Sequence, residues 1–272
     1  MKNQVLISES GGSKTDWALV REGEIIFQFS SESFHPKNWN TSLFNDLLYD
    51  FIEKQLDFQN TKLIFFGAGC NNLEKADELK KNFKLFGFQE VEISGDLQAA
   101  CLATLNKSAG FVAILGSGSV LIEYKNQTVT NYFGGLGREL GDEGAGYYFG
   151  KLVLMDYTNN KLEPIQKSIL KSVLSIQEIA SLGRNELEDE LCLDLSKRLG
   201  NNLFEFQNYH RKNIDLFYSK YVQPNVVKGT TIQLVGSYAF YHQEIIKSYF
   251  RAKGYKIGNI IARPIDKIIE LY

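Results

Sequence analysis

The sequence predicts an α/β protein built from two similar halves, and three observations carry that prediction. A strand, a glycine- and serine-rich turn and a second strand occur near the amino terminus, and the same pattern returns around residue 115. A glycine-poor stretch over 151–228 has the apolar spacing of helices. A chain of 272 residues can also bury roughly three quarters of its unfolded surface, so it needs neither crosslinks nor metals to hold a core.

The elements follow in order. Val5, Leu6 and Ile7 begin a β run that stops at Ser10-Gly11-Gly12, and 16–20 resumes it. A turn at 21–24 leads to a third strand over 25–29. A strand over 91–93 runs through Ser94-Gly95 into a helix over 97–103, with Asp96 at its entrance. Strands over 111–115, 120–124 and 128–132 are separated by turns at 116–119 and 125–127. In 151–228, Leu170, Val173, Leu174 and the run 176–179 recur at three- and four-residue spacings, which favours amphipathic helices. A strand over 232–235 ends at Gly236-Ser237, and a helix over 240–250 follows. The division falls near Ser108-Ala109-Gly110, giving domains 1–108 and 109–272, the second carrying a helical insert at about 151–228.

Composition narrows the function. Hydrophobic residues at 44% and charged residues at 23% are ordinary globular values. Thirty Lys+Arg against 32 Asp+Glu leave a net charge of −2, so no basic field exists to hold nucleic acid or an anionic membrane. Cys70, Cys101 and Cys192 form neither a disulfide framework nor a CxxC knuckle, and a reducing cytoplasm is expected. The amino-terminal apolar run turns polar at once, unlike a signal peptide, and no run reaches the ~18 apolar residues of a membrane helix. The histidines His35, His210 and His242 are scattered without HxH or HExxH spacing, and no GxSxG elbow occurs.

The glycine turns are the chemical signal. Backbone N–H groups in such turns can approach phosphate oxygens because no Cβ intervenes. Neither turn is a P-loop or a dinucleotide fingerprint: no glycine stands before Lys14 at the required spacing, and 116–121 reads GSGSVL. A strand follows each turn where those motifs require a helix, so both turns are hairpin tips. One such hairpin reads as an ordinary turn; two matched, hydroxyl-rich hairpins also read as a phosphate cradle. Asp96 reads either as a helix N-cap or as a general base at the mouth of a cleft. Asp142 and Glu143, flanked by Gly141 and Gly144, read as helix-capping acids or as a site where a carboxylate receives hydroxyls. Gly236-Ser237 between strand and helix reads as ordinary packing or as a platform for adenine.

Taken in order, SGGSKTDW at 10–17, FFGAGC at 65–70, SGDLQAA at 94–100, ILGSGS at 114–119, GGLGRELGDEGAG at 134–146 and LVGSYAF at 234–240 resemble the N-acetylglucosamine kinases. These belong with the BadF/BadG/BcrA/BcrD-type ATPases in the actin/sugar-kinase/Hsp70 superfamily. The resemblance spans nearly the whole chain and is closest to the short bacterial members. It implies two ribonuclease-H-like, actin-like ATPase domains facing an ATP and sugar cleft, the final helix crossing back to the first domain. It implies that Gly11, Gly12, Ser13 and Thr15 form one phosphate hairpin and Gly116, Ser117, Gly118 and Ser119 the other, with Gly236 and Ser237 at the adenosine. Asp96 matches the base that takes the 6-hydroxyl proton of N-acetylglucosamine, Asp142 a sugar-hydroxyl acceptor, and Leu136-Gly137 a backbone stretch touching the sugar. ATP and Mg²⁺ are the implied cofactors, and a homodimer is compatible with the resemblance.

The departures are specific. Glu9 stands where the first hairpin usually begins with Asp near the Mg²⁺ shell, and Ser13 and Ser117 replace threonines. Val120 replaces the Asn of GTGSN, and His35 in Ser33-Phe34-His35-Pro36 replaces a sugar-binding Asn. Polar sites discriminate hydroxyl patterns strongly, so these swaps bear on sugar identity more than on phosphoryl transfer. Two alternatives stand beside the kinase: a sugar sensor without turnover, and an ATPase activator of a 2-hydroxyacyl-CoA dehydratase. The activators hold an iron–sulfur cluster with paired cysteines, and no such pair is present here.

Overall fold

The structure, a computed structural model, describes residues 4–11, 14–184, 188–199 and 204–272. The chain divides into two units: Met1–Lys107 with Gln127–Val129 and Arg263–Tyr272, and Ser108–Asn126 with Thr130–Ala262.

In the first unit, β1 (Gln4–Ser10), β2 (Lys14–Arg21), β3 (Glu24–Glu32), β4 (Thr61–Gly67) and β5 (Glu90–Gly95) form one sheet in the order β3-β2-β1-β4-β5. β1 is antiparallel to β2 and parallel to β4, and β4 is parallel to β5. Alternation along the strands sends Leu6, Trp17, Leu19, Leu63 and Phe65 into one core and Ile7, Ala18, Val20, Ile64 and Phe66 into another. Burial on both faces explains why these strands read as nearly unbroken apolar runs. The first core receives Leu47 and Phe51 from α1 (Thr41–Glu53) and Leu79 and Phe83 from α2 (Leu73–Leu85). Trp17 sits among their rings, edge-on to Phe51 with centroids 5.2 Å apart. Asn40 and Asn72 cap these helices by accepting Leu43 N–H at 2.9 Å and Lys75 N–H at 3.1 Å. α3 (Asp96–Leu105) contributes Ala99 to the second core.

In the second unit the order is β10-β9-β6-β7-β8, built from β6 (Gly110–Leu115), β7 (Ser119–Lys125), β8 (Thr128–Gly134), β9 (Thr231–Val235) and β10 (Lys256–Ile261). β6 and β7 are an antiparallel hairpin, while β9 runs parallel to both β6 and β10. A short α4 (Gly137–Leu140) precedes α5 (Gly146–Thr158), α6 (Pro164–Val173), α7 (Ile176–Gly183), α8 (Asp189–Leu199) and α9 (Gln207–Phe217). α9 continues through a π-helical turn, Tyr218–Val222, into α10 (Gln223–Asn225). The expected helix over 240–250 is two helices, α11 (Ser237–Tyr241) and α12 (Gln243–Ala252), because His242 leaves helical geometry at φ −108°, ψ 23°. The largest core joins Ala113, Leu115, Leu121, Ile232 and Leu234 of the sheet to Phe149, Leu195, Ile214, Phe217 and Phe250 of the helices. α13 (Ile265–Ile268) belongs to the first unit, where Ile265 and Ile268 join the core that holds Ala99.

The strands expected around the two hairpins are β1, β2, β3, β6, β7 and β8, and 232–235 lies in β9. Among the described residues, no helix is long and apolar enough to cross a membrane. Cys70, Cys101 and Cys192 are buried free thiols, each pushed up to about 12 with burial as the main cause.

Candidate active site

In the first unit, the carboxyl ends of β1, β4 and β5 gather the residues that the sequence singles out. Gly95 is the N-cap of α3 and makes no side-chain cap, so Asp96 is the first helical residue and not the cap. Its Oδ1 accepts the N–H of Leu97 at 3.0 Å and the amide of Asn71 at 3.4 Å. Burial raises the Asp96 pKa, opposed by those bonds and by the nearby His35. Asn71 lies over Gly95 so closely that a Cβ there would stand 1.7 Å from its Oδ1. Asn71 follows FFGAGC directly and was missed in the sequence, where only its adjacency to that motif marks it.

His35 caps the short 3₁₀ turn Pro36–Asn38, its Nδ1 accepting Lys37 N–H at 3.2 Å. That bond assigns the remaining ring proton to Nε2, which makes neutral His35 a donor on that edge. Burial and Lys37 lower its pKa, while Asp96 opposes them. Ser33 ties this segment to the first hairpin by donating to Gly11 C=O at 2.6 Å. Gly12 and Ser13 lie outside the described residues. Thr15, expected at the phosphates, is fully buried: its hydroxyl donates to Ser10 Oγ at 2.8 Å and accepts Phe34 N–H at 3.1 Å. Its hydroxyl therefore braces the hairpin against the 33–35 segment.

Glu9 accepts the N–H of Ile265 at 2.9 Å, joining β1 to the start of α13. Burial pushes its pKa up to about 7; the Ile265 bond opposes this, and Asp16, Asp266 and Asp96 add to it. Among the described residues no group of three or more His, Cys, Asp or Glu is placed to hold a metal. The donor set fits a Mg²⁺ held by one or two carboxylates together with phosphate oxygens, and not an all-protein cage.

In the second unit, Gly116 and Gly236 touch: a Cβ on Gly116 would lie 3.9 Å from Gly236 Cα, and one on Gly236 would lie 2.6 Å from Leu115 C=O. With φ +111°, Gly236 is a position only glycine fills, and it sets Ser237 at the start of α11 beside the second hairpin. Gly116 C=O accepts Gly146 N–H at 2.8 Å, so the hairpin is also fixed to the start of α5. Ser117 is exposed at the tip. Ser119 is buried, its N–H donating to Asp142 Oδ1 at 3.1 Å and its hydroxyl to Glu143 C=O at 2.6 Å, so both of its donors are engaged. Asp142 adopts φ +66°, and burial raises its pKa against the pull of the Ser119 N–H. Neither acid caps α5, whose N-cap is Ala145 without a side-chain bond. Leu136 is exposed, and Gly137 has φ +78° with open space where a Cβ would stand. Val120 is buried, its Cγ2 lying 3.6 Å from the place of a Cβ on Gly135.

No protein-family model and no curated protein sequence matches the chain significantly. Solved structures do. A candidate N-acetylglucosamine kinase from Porphyromonas gingivalis superimposes with a TM-score of 0.87 at 23% identity, covering 98% of this chain and 97% of that one. The chain has the fold of that structure. A candidate N-acetylglucosamine kinase from Chromobacterium violaceum gives 0.74 at 16% identity, with 99% of both chains covered. A ROK family glucokinase from Streptomyces griseus, solved with glucose and AMPPNP, gives 0.58 at 12% identity over 98% of this chain and 97% of that one. The predicted α/β class with ribonuclease-H-like, actin-like units is therefore the observed one.

Proposed function

We propose that the protein is a cytoplasmic, ATP-dependent sugar kinase that phosphorylates an amino sugar, with N-acetylglucosamine at its 6-hydroxyl the preferred acceptor. The observation that carries the reading is Asp96. It stands at the carboxyl end of β5, which runs parallel to β4; its Oδ1 holds the Leu97 N–H at 3.0 Å, and burial strengthens it as a base. The likeness to a glucokinase solved with glucose and AMPPNP supports the choice of sugar and ATP.

In the proposed reaction, Asp96 accepts the proton of the attacking hydroxyl, and His35 offers its Nε2–H to the sugar. Asp142 and the backbone at Leu136-Gly137 also serve the sugar, Asp142 through the carboxylate oxygen that does not hold Ser119. Ser117 and Gly118 present backbone N–H groups to phosphate oxygens, while the N–H groups of Gly11 and Gly116 close their own hairpins on Lys14 C=O and Gly118 C=O, each at 3.0 Å; Gly236-Ser237 receives the adenosine. Glu9 would hold Mg²⁺, which supplies charge neutralisation of the phosphoryl oxygens when bound.

The test is a coupled ADP-release screen over N-acetylglucosamine, N-acetylmuramic acid, glucosamine and glucose. Stimulation by N-acetylglucosamine, lost by about 10²- to 10⁴-fold in Asp96→Asn, is the expected result. No sugar-stimulated release from the wild type overturns the reading, and near-normal turnover in Asp96→Asn overturns the base.

A further inference from the structure

The segment that carries Leu136, Gly137 and Asp142 rests on a single turn of π-helix far away in sequence. Glu143 is 4% exposed, and its two carboxylate oxygens are divided between neighbours in that turn. Lys220 Nζ pairs with Oε1, and the Tyr221 hydroxyl donates to Oε2 at 3.1 Å. Tyr221 also reaches both ends of the segment. A Cβ on Gly134 would lie 3.3 Å from its ring, and one on Gly141 would lie 3.5 Å from its hydroxyl oxygen. Gly134, Gly135 and Gly137 all have positive φ, so this stretch has little backbone preference of its own and takes its shape from what it packs against.

The π-helical geometry has a consequence here. An extra residue in the turn changes which side chains share a face, and such turns recur at functional sites. In Tyr218–Val222 it brings the adjacent residues Lys220 and Tyr221 to one carboxylate. About two turns earlier, in α9, Asn213 accepts Gly144 N–H at 2.7 Å and donates to Ala145 C=O at 2.9 Å. The acidic loop is thus held from one side by α9 and its π-helical extension, and from the other by Ser119.

We propose that Glu143, Lys220 and Tyr221 are positioning residues for the acceptor-binding segment 134–142, acting through Tyr221 at Gly134 and Gly141 and through Glu143 beside Asp142. This assignment of the segment's purpose rests on the sugar-kinase reading; the mechanical role does not. Removing one partner from a buried charge destabilises its surroundings more than it weakens a surface. The loss therefore falls on the loop that the glutamate belongs to. Lys220 is 47% exposed on its side chain, so replacing it leaves no cavity in the core.

Hydrogen–deuterium exchange of the full chain tests the mechanical part without reference to activity. Tyr221→Phe removes one hydroxyl and Lys220→Met one charge, and each is expected to speed amide exchange in 134–146 about tenfold, the equivalent of one bond to a charged group. Exchange in β1 to β5 stays as in the wild type, and Lys220→Arg restores slow exchange in 134–146. Exchange in 134–146 that is unchanged in both variants overturns the proposal. Steady-state kinetics tests the functional part: the KM for N-acetylglucosamine rises about tenfold in Tyr221→Phe while the KM for ATP holds. An equal rise in both KM values means general loosening of the fold and overturns the positioning role. Absence of sugar-stimulated ADP release from the wild type sinks the kinase reading alone, and the exchange arm still decides whether the π-helical turn holds the segment.

Discussion

Asp142 Oδ1 accepts the backbone N–H of Ser119 at 3.1 Å, so the acidic loop and the end of the second hairpin are fixed to each other by one bond. Both residues are buried, at 6% and 4% exposure, so no solvent competes well for that N–H. Asp142→Ala leaves the donor unpaired and places a β-carbon residue at φ +66°, where Asn is tolerated and Ala is not. The expected loss in urea unfolding is about 1–3 kcal/mol for Ala and well under that for Asn, which keeps an acceptor oxygen. Equal losses for the two variants refute the role assigned to this bond.

Gly150 in α5 faces α8, and a Cβ there would stand 2.1 Å from Cys192 C=O. Ala has the better helix propensity by about 1 kcal/mol, so propensity alone favours Gly150→Ala. The clash is with backbone, which cannot swing aside, and forcing two packed helices apart costs about 1–3 kcal/mol or more. Net destabilisation is expected in thermal unfolding. Gly183→Ala is the control, because nothing lies within 4 Å of its added Cβ. A Gly150→Ala protein as stable as the control contradicts the close contact of α5 and α8.

His210 and His242 are buried beside each other, ring centroids 4.3 Å apart, in a stack with Phe149 and Tyr238. Burial holds their pKa values down, to about 2 for His210, with His242 adding to the effect, and to about 4 for His242. Both are therefore neutral in the folded chain where an unfolded chain takes up protons. Stability is complete above about pH 6.5 and falls as pH drops toward 4, at up to about 1.4 kcal/mol per pH unit for each histidine. Urea unfolding between pH 7 and 4 measures this slope. His242→Gln, which cannot be protonated, is expected to flatten it; an unchanged slope assigns the acid sensitivity elsewhere.

Much of the fold was legible in the sequence because strand–turn–strand patterns are local. Gly11 and Gly116 mark hairpin tips where the chain must turn between apolar runs, and the structure has those hairpins. Helix ends were legible only to within a residue or two. Asp96 reads either as a cap or as a base, and the N-cap position is taken by Gly95, one residue earlier, because it is the extended backbone angles of a residue, φ −77° and ψ 162° at Gly95, that set the cap. Hydroxyl direction was not legible at all: Thr15 and Ser119 sit in phosphate-like motifs, yet their side chains point to Ser10 and Glu143.

By itself the sequence determined the class of fold, the two hairpins, the placement of Asp96 between strand and helix and the absence of a basic field. Each of these depends on neighbours within a few residues, or on composition, which the linear chain states directly. Only the tertiary structure decided which side of each hairpin hydroxyl faces inward, that Glu9 meets Ile265, and that Lys220 and Tyr221 meet Glu143. Those partners lie 256, 77 and 78 residues apart. Contacts at such separations are made by the packing of whole elements, and a buried carboxylate takes whichever donors that packing delivers.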